Sequence, residues 1–129
     1  MPQTSAGLSQ VAVVILGVTD LPKSVAFYRD VLGLELQGEI PGGFAFFKAG
    51  GVTLALSKVH ADPKNSPHLV GASEVVFGVD DVAAAYEALR DRGVGFAGGP
   101  RPVAGPNWAA NFTDPDGHRL SVFGPQKKI

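Results

Sequence analysis

The chain has no cysteine, one methionine and one tryptophan among its 129 residues. Without cysteine, neither a disulfide framework nor a thiolate metal site can form. Charged residues make up only 18% of the chain, with 11 basic and 12 acidic, so the strongly basic surface that nucleic-acid binding needs is lacking. The longest apolar run, residues 11–16, is far too short to cross a bilayer. These absences favour a soluble cytoplasmic domain that binds neither nucleic acid nor membrane.

Glycine and proline, in contrast, are abundant, with 17 and 10 residues. Scattered through a sequence that is 45% hydrophobic, they predict many turns between short strands. Residues 11–16 predict a buried strand, and Asp20 and Gly33 mark the N-cap and the C′ position of the helix that follows. Extended segments are then predicted at residues 34–37, 43–49 and 52–59.

The second half of the chain repeats this order. A strand is predicted at residues 74–79, a helix between Asp81 and Gly93, and extended segments at residues 94–97, 107–113 and 119–124. At an offset of 61 residues, Val18 aligns with Val79 and Asp20 with Asp81. We interpret the chain as one domain, residues 1–129, that contains a duplicated βαβββ module. The predicted bounds are about 8–59 and 72–125, with a polar linker at 60–71.

Two motifs carry a resemblance to a known family. Residues 18–34, Val-Thr-Asp-Leu-Pro-Lys-Ser through Gly-Leu, and the turn Asp114-Pro115-Asp116-Gly117-His118 resemble the vicinal oxygen chelate superfamily of glyoxalases, bleomycin resistance proteins and extradiol dioxygenases. The resemblance implies an α+β fold of two tandem βαβββ modules whose mixed sheets curve around a central groove. It also implies a frequent homodimer, and leaves open whether modules pair within one chain or are exchanged across the dimer.

Many members of this superfamily hold a divalent metal through four side chains. The matching positions here are Val13, Ala55, Glu74 and Ser121. Two of these side chains cannot coordinate a metal, and a neutral serine is a poor ligand. We therefore expect no cofactor, with a divalent metal disfavoured. The three histidines, His60, His68 and His118, are expected to be solvated loop residues, although they could still meet across a dimer.

Strand alternation predicts which side chains face the groove. A two-residue hairpin at Gly50-Gly51 would place Phe44, Phe46 and Lys48 there, and a four-residue loop from Asp114 to Gly117 would add Trp108 and Phe112. The second register sends Asn111 toward the helices, and a slip of one residue would reverse that strand's faces. The predicted ligand-binding residues are Val13, Phe44, Phe46, Lys48, Ala55, Ser57, Glu74, Trp108, Phe112, Arg119, Ser121 and Phe123.

Aromatic side chains dominate this predicted lining. They suit a flat aromatic or apolar ligand, but they could equally pack against each other or across a dimer interface. Glu74 is the candidate catalytic residue, because a carboxylate in an apolar groove can act as a general base. An ion pair with Arg119, or an anchor for a cationic ligand, is the favoured alternative.

Three functions follow from these expectations. The first is a metal-free small-molecule binding protein of the bleomycin-resistance type. The second is a glyoxalase- or dioxygenase-like lyase or isomerase that uses either a metal held by other residues or Glu74 as base. The third, less favoured, is an accessory domain that binds a partner protein.

Overall fold

The computed structural model of the chain describes residues 11–41, 43–61 and 74–127. The first module forms a four-stranded sheet in the order β1-β4-β3-β2, with β1 parallel to β4 and the other pairs antiparallel. Its elements are β1 (Val13–Gly17), α1 (Leu21–Ala26) extended by a π-helical turn (Phe27–Val31), β2 (Glu35–Ile40), β3 (Phe44–Ala49), β4 (Val52–Ser57) and a 3-10 turn (Val59–Ala61).

The second module repeats this plan in a sheet with the order β5-β8-β7-β6. Its elements are β5 (Glu74–Gly78), α2 (Val82–Asp91), β6 (Arg101–Ala104), β7 (Asn107–Thr113) and β8 (Arg119–Pro125). The α+β fold of two βαβββ modules is thereby confirmed. Most of the predicted linker, including His68, lies outside the described residues. In the part of the chain that is described, no helix is long and apolar enough to cross a membrane.

The predicted helix caps are confirmed. The Asp20 side chain accepts the backbone N–H of Lys23 at 3.1 Å, and Asp81 accepts those of Ala83 and Ala84. Gly33 and Gly93 follow the helices with φ of +79° and +93°, a conformation that strains other residues. The first helix differs from expectation in its last turn, where the N–H of Leu32 reaches the carbonyl of Phe27 in a π-helical bond.

The predicted register of β3 and β4 is confirmed, with Phe46 opposite Ala55. The predicted register of β7 and β8 is wrong by one residue, because Thr113 rather than Phe112 pairs with Arg119. The cause lies in the turn. Asp114 Oδ1 accepts the N–H groups of both Asp116 and His118 at 2.9 Å, and the Asp114 N–H bonds to the His118 carbonyl. His118 is thereby part of a five-residue loop.

The shift in register moves two predicted groove residues to the opposite face of the sheet. Phe112 pairs with Leu120 and is only 3% exposed, within the core under the helices. Trp108 lies on the same face and packs against that core. The prediction that Trp108 and Phe112 face the groove is therefore wrong. The second strand of this module is also displaced from residues 94–97 to β6.

The helix-facing sides of both sheets share one hydrophobic core, which includes the fully buried Tyr28, Phe47 and Leu120. Polar contacts also join the modules. Asp116 Oδ1 accepts the backbone N–H and hydroxyl of Thr19 at 3.1 and 2.7 Å, and His118 Nε2 lies 2.6 Å from the Gly17 carbonyl, which accepts its proton. The turn between β7 and β8 is thereby held against the end of β1.

Candidate functional site

The groove side of the first sheet is apolar and aromatic. Phe44 and Phe46 are half-buried, and their rings lie nearly parallel, 5° apart in plane with centroids separated by 5.9 Å. Val13 and Ile15 on β1 are exposed, at 46% and 41%. Ala55, by contrast, is fully buried. Strand alternation brings these side chains together, because each occupies every second position of its strand. The two phenylalanine rings form what we call the aromatic platform.

The 3-10 turn covers one end of this groove side. It places His60 so that Nδ1 lies 2.8 Å from Ser57 Oγ, and the backbone N–H of His60 donates to the same oxygen at 3.3 Å. The Phe44 ring meets the imidazole edge to face at 6.2 Å. Ser57 is consequently fully buried. His60 is exposed, as expected of a solvated loop residue, but it also has specific contacts that no spacing in the sequence indicates.

The groove side of the second sheet carries a polar network. Asn111 Nδ2 donates to Glu74 Oε2 at 3.1 Å, and Arg101 Nη1 donates to Asn111 Oδ1 at 2.7 Å. Arg119 Nη2 lies 3.5 Å from Glu74 Oε1. The four side chains alternate between donor and acceptor, so Glu74 is held from two sides. Asn111 and Arg101 were not among the predicted site residues.

Glu74 and Arg119 form the ion pair that was weighed against a catalytic role. The pair is solvated, with side chains 28% and 56% exposed, so its Coulomb energy is weak. Each carboxylate oxygen of Glu74 has a partner, Arg119 for Oε1 and Asn111 for Oε2. Each oxygen keeps a further lone pair, so these contacts orient the carboxylate and leave it able to accept a proton.

A cavity of about 1070 Å³ extends along the space between the edge strands β1 and β5. Both modules line it, with Ile15 and His60 from the first and Val76 and His118 from the second. Three of the predicted ligand-binding residues also line it, namely Lys48, Glu74 and Arg119.

The other predicted residues lie beside the cavity or away from it. Val13, Phe44, Phe46, Ala55, Ser57, Ser121 and Phe123 lie on the groove sides of their sheets but do not line this cavity. Ser121 is 2% exposed and lies opposite Asn111 on β7. Its role in ligand binding, like that of the other groove residues, stays a prediction.

The four positions that correspond to metal ligands do not form a complete donor set. Val13 and Ala55 have no donor atom, Ser121 is buried, and Glu74 is engaged by Asn111 and Arg119. Across residues 11–41, 43–61 and 74–127, no group of three or more histidine, aspartate or glutamate side chains could hold a metal ion. These residues do not fit a four-ligand metal site.

Comparison with known proteins places enzymes and a binding protein among the relatives. The chain is 30% identical over 107 residues to metallothiol transferase FosB of Staphylococcus haemolyticus, covering 81% of this chain and 76% of that protein. A lactoylglutathione lyase structure from Agrobacterium tumefaciens matches with a TM-score of 0.75 at 26% identity, covering 91% and 94% of the two chains. TnmS3, an antibiotic binding protein from Streptomyces sp. CB03234, matches with a TM-score of 0.75 at 27% identity, covering 95% and 100%.

These relatives correct one expectation. FosB is by name a metallothiol transferase, so metal-dependent enzymes stand among the relatives of this chain. The expectation of no cofactor and no divalent metal is therefore wrong. The expectation was based on matching four ligand positions of the family to this sequence. Such a match does not show which activities the relatives of this chain have.

The family itself is established by a match over most of the chain. The sequence model of the Glyoxalase/Bleomycin resistance protein/Dioxygenase superfamily matches residues 8–122, which cover the first module and the second module as far as β8. The fold and the two sequence motifs agree with that match. The chain belongs to the glyoxalase/bleomycin resistance protein/dioxygenase superfamily.

Proposed function

We propose that this chain binds a planar aromatic small molecule in its groove and holds it without chemical change. The observation that carries the proposal is the aromatic platform, with Phe44 and Phe46 parallel on an accessible sheet face. Aromatic rings attract one another in offset-stacked and edge-to-face arrangements, beyond the effect of area burial alone. A flat aromatic ligand would stack on the accessible side of the aromatic platform.

The polar network on the second sheet supports the same proposal. Arg119 and Glu74 line the cavity opposite apolar β1 and supply a donor and an acceptor. Asn111, which itself accepts a hydrogen bond from Arg101, donates to Glu74 and holds it in place. A mostly apolar pocket with a few directed polar groups is typical of small-molecule sites. TnmS3, described as an antibiotic binding protein, has this fold at 27% identity. Its role as a binding protein supports a sequestering function for this chain.

The test is isothermal titration calorimetry with a panel of planar aromatic compounds. Wild-type protein is compared with Phe46→Leu, which keeps apolar volume but removes the ring, and with the matched control Val103→Ala on the exposed strand β6. A stacking contribution of about 0.5–1.5 kcal/mol corresponds to a two- to tenfold loss of affinity in Phe46→Leu. The control should bind as wild type does. Failure of every compound to bind, or equal binding by Phe46→Leu, would refute the proposal.

A second candidate function is an enzyme of the lyase or isomerase type. It is favoured by the relatives FosB and lactoylglutathione lyase, and by Glu74 in the cavity. Elemental analysis of protein purified without chelators tests for a resident metal. Loss of turnover in Glu74→Gln, with Glu39→Gln on the exposed part of β2 as the control, would support an enzyme over a binding protein. A Glu74→Gln variant that keeps full turnover would exclude Glu74 as the base.

We also propose that the protein is a homodimer. β1 and β5 are edge strands of their sheets, and they expose Val13, Ile15 and Val76 at 46%, 41% and 53%. Exposed apolar edges tend to be covered in native proteins, because they otherwise promote non-specific association. A second copy with the same surfaces is the occupant that the family resemblance favours.

A further inference from the structure

The pair Ser57 and His60 has a hydrogen-bond arrangement that fixes the imidazole. Ser57 Oγ accepts the backbone N–H of His60 at 3.3 Å and lies 2.8 Å from Nδ1. Because Ser57 is fully buried, its hydroxyl proton needs an acceptor within the protein. Nδ1 of His60 lies in the right place to accept it. With Nδ1 as the acceptor, the ring proton of a neutral imidazole is carried by Nε2.

Packing around His60 keeps the ring in this position. The Phe44 ring contacts it edge to face, with an angle of 77° between the planes. On the backbone side, Gly17 of β1 lies so close that a Cβ there would be 2.7 Å from the carbonyl carbon of His60. The 3-10 turn therefore lies directly against the end of β1. The exposed His60 side chain thus contacts Phe44 of β3 and Ser57 of β4, and its backbone lies against β1.

The position of His60 relative to the platform suggests what it recognises. His60 lines the cavity and also contacts Phe44, the first ring of the aromatic platform. We infer that His60 is a ligand-binding residue whose Nε2–H donates to an acceptor oxygen, such as a carbonyl, on a planar aromatic ligand. The inference rests on the proposed function, because the platform is what brings such a ligand to His60. The inference specifies the chemical class of the ligand as an aromatic compound that carries an oxygen acceptor.

A purely structural role for Ser57 and His60 has different consequences. If the pair only ends β4, its removal lowers stability and weakens the binding of all ligands alike. If His60 donates to the ligand, its removal weakens the binding of only those ligands that carry the oxygen. Two ligands of the same shape, with and without that oxygen, therefore separate the two roles.

The experiment uses 9-fluorenone and fluorene, planar three-ring compounds that differ by one carbonyl. We expect wild-type protein to bind 9-fluorenone about two- to tenfold more tightly than fluorene, as one neutral hydrogen bond provides. His60→Phe keeps a ring beside Phe44 but cannot donate, so it should lose this preference while fluorene affinity stays within about twofold. Ser57→Ala no longer holds the imidazole proton on Nε2, so this variant should lose part of the preference for 9-fluorenone over fluorene.

The outcomes distinguish this inference from the proposed function. Equal affinity of wild type for the two compounds, or an unchanged preference in His60→Phe, overturns the role of His60 while binding on the platform stands. If neither compound binds, the role of His60 in recognising this carbonyl is overturned, and the wider panel of aromatic compounds decides the proposed function.

A measurement on the free protein is independent of any ligand. Long-range ¹H–¹⁵N correlation spectra of the imidazole at about pH 8.5, where an ordinary histidine is neutral, should show the proton on Nε2 of His60. A proton on Nδ1 would overturn the inference.

Discussion

The phenol of Tyr28 donates a 2.8 Å hydrogen bond to Asp114 Oδ2, which joins the first helix to the turn between β7 and β8. Both residues are buried, at 0% and 5% exposure. Burial, with the negative charge and hydrogen bond of Asp114 as further causes, raises the pKa of the Tyr28 phenol far above its ordinary value. Asp114 is also the residue that shapes the turn, so this one contact links turn geometry to the packing of the two modules.

Replacing Tyr28 by phenylalanine should therefore destabilise the fold. The variant removes the donor to Oδ2 of the buried Asp114 carboxylate, and we expect a loss of about 1.5–3 kcal/mol in the free energy of unfolding. Tyr86→Phe is the matched control, because Tyr86 is the other tyrosine and packs by its ring against Phe96. That control should change stability by less than about 0.5 kcal/mol. Urea unfolding at pH 7 measures both, and equal effects would refute the role of the Tyr28 hydroxyl.

The same bond predicts a pH dependence. Below the ordinary tyrosine pKa of about 10, both folded and unfolded chains keep the Tyr28 proton. Above it the unfolded chain loses this proton while the folded chain retains it, because the folded pKa is raised. Stability should therefore fall as the pH rises past about 10, and Tyr28→Phe should lack this part of the fall. The urea unfolding midpoints of wild type and Tyr28→Phe should approach each other between about pH 8 and 11. A difference between the two midpoints that stays constant with pH would contradict this prediction.

A second prediction concerns Gly17 and Gly78, which occupy equivalent positions in β1 and β5. A Cβ on Gly17 would lie 2.7 Å from the backbone of His60, whereas no described atom lies within 4 Å of a Cβ on Gly78. Gly17→Ala should cost about 1–3 kcal/mol by overpacking, and Gly78→Ala should be close to neutral. Thermal unfolding of the two variants tests this. If the two alanine variants are equally stable, the close approach of the 3-10 turn to β1 is wrong.

A third prediction follows from the corrected register of β7. Trp108 lies on the helix-facing side, so Trp108→Phe should lower thermal stability but change the affinity for an aromatic ligand by less than about twofold. Phe46→Leu should show the reverse pattern, with affinity more affected than stability. Calorimetric titration and thermal unfolding of both variants provide the comparison. A large affinity loss in Trp108→Phe would place the tryptophan in the groove after all.

The fourth prediction tests the homodimer. Ile15→Lys places a charge on the exposed edge of β1, so it should shift sedimentation equilibrium toward the monomer by at least about tenfold in dissociation constant if that edge is in the interface. Val103→Lys, on the exposed strand β6, is the matched control and should leave the equilibrium unchanged. A wild-type protein that sediments as a monomer at all concentrations would refute the proposal.

The two hairpins show how far sequence reasoning could go. Gly50-Gly51 suits a tight two-residue turn, so the pairing of Phe46 with Ala55 was predictable. The second turn also has typical turn residues, but its length depends on the Asp114 side chain, which accepts N–H groups as far as His118. Residue types alone do not show which backbone N–H groups the Asp114 side chain accepts, and therefore do not give the length of the loop. The one warning was Asn111, whose amide would have lacked partners among the helices.

The remaining site residues were harder to predict because their contacts join distant segments. Asn111 and Glu74 are 37 residues apart in the sequence, and their hydrogen bond depends on the parallel pairing of β5 with β8. His60 lies in a polar stretch whose composition suggests a linker, and its position depends on the absence of a side chain at Gly17. Caps, strands and modules are local patterns and were predicted from the sequence, whereas these contacts required the tertiary structure.

The contrast between Gly17 and Gly78 has a consequence for ligand orientation. In the first module the 3-10 turn closes the end of β1, while around the equivalent Gly78 of β5 the described residues leave open space. The two halves therefore differ in shape at this end as well as in lining, because the first sheet carries the aromatic platform and the second carries the polar network. If an elongated ligand occupies the groove, as we propose, we expect it to bind in a single orientation.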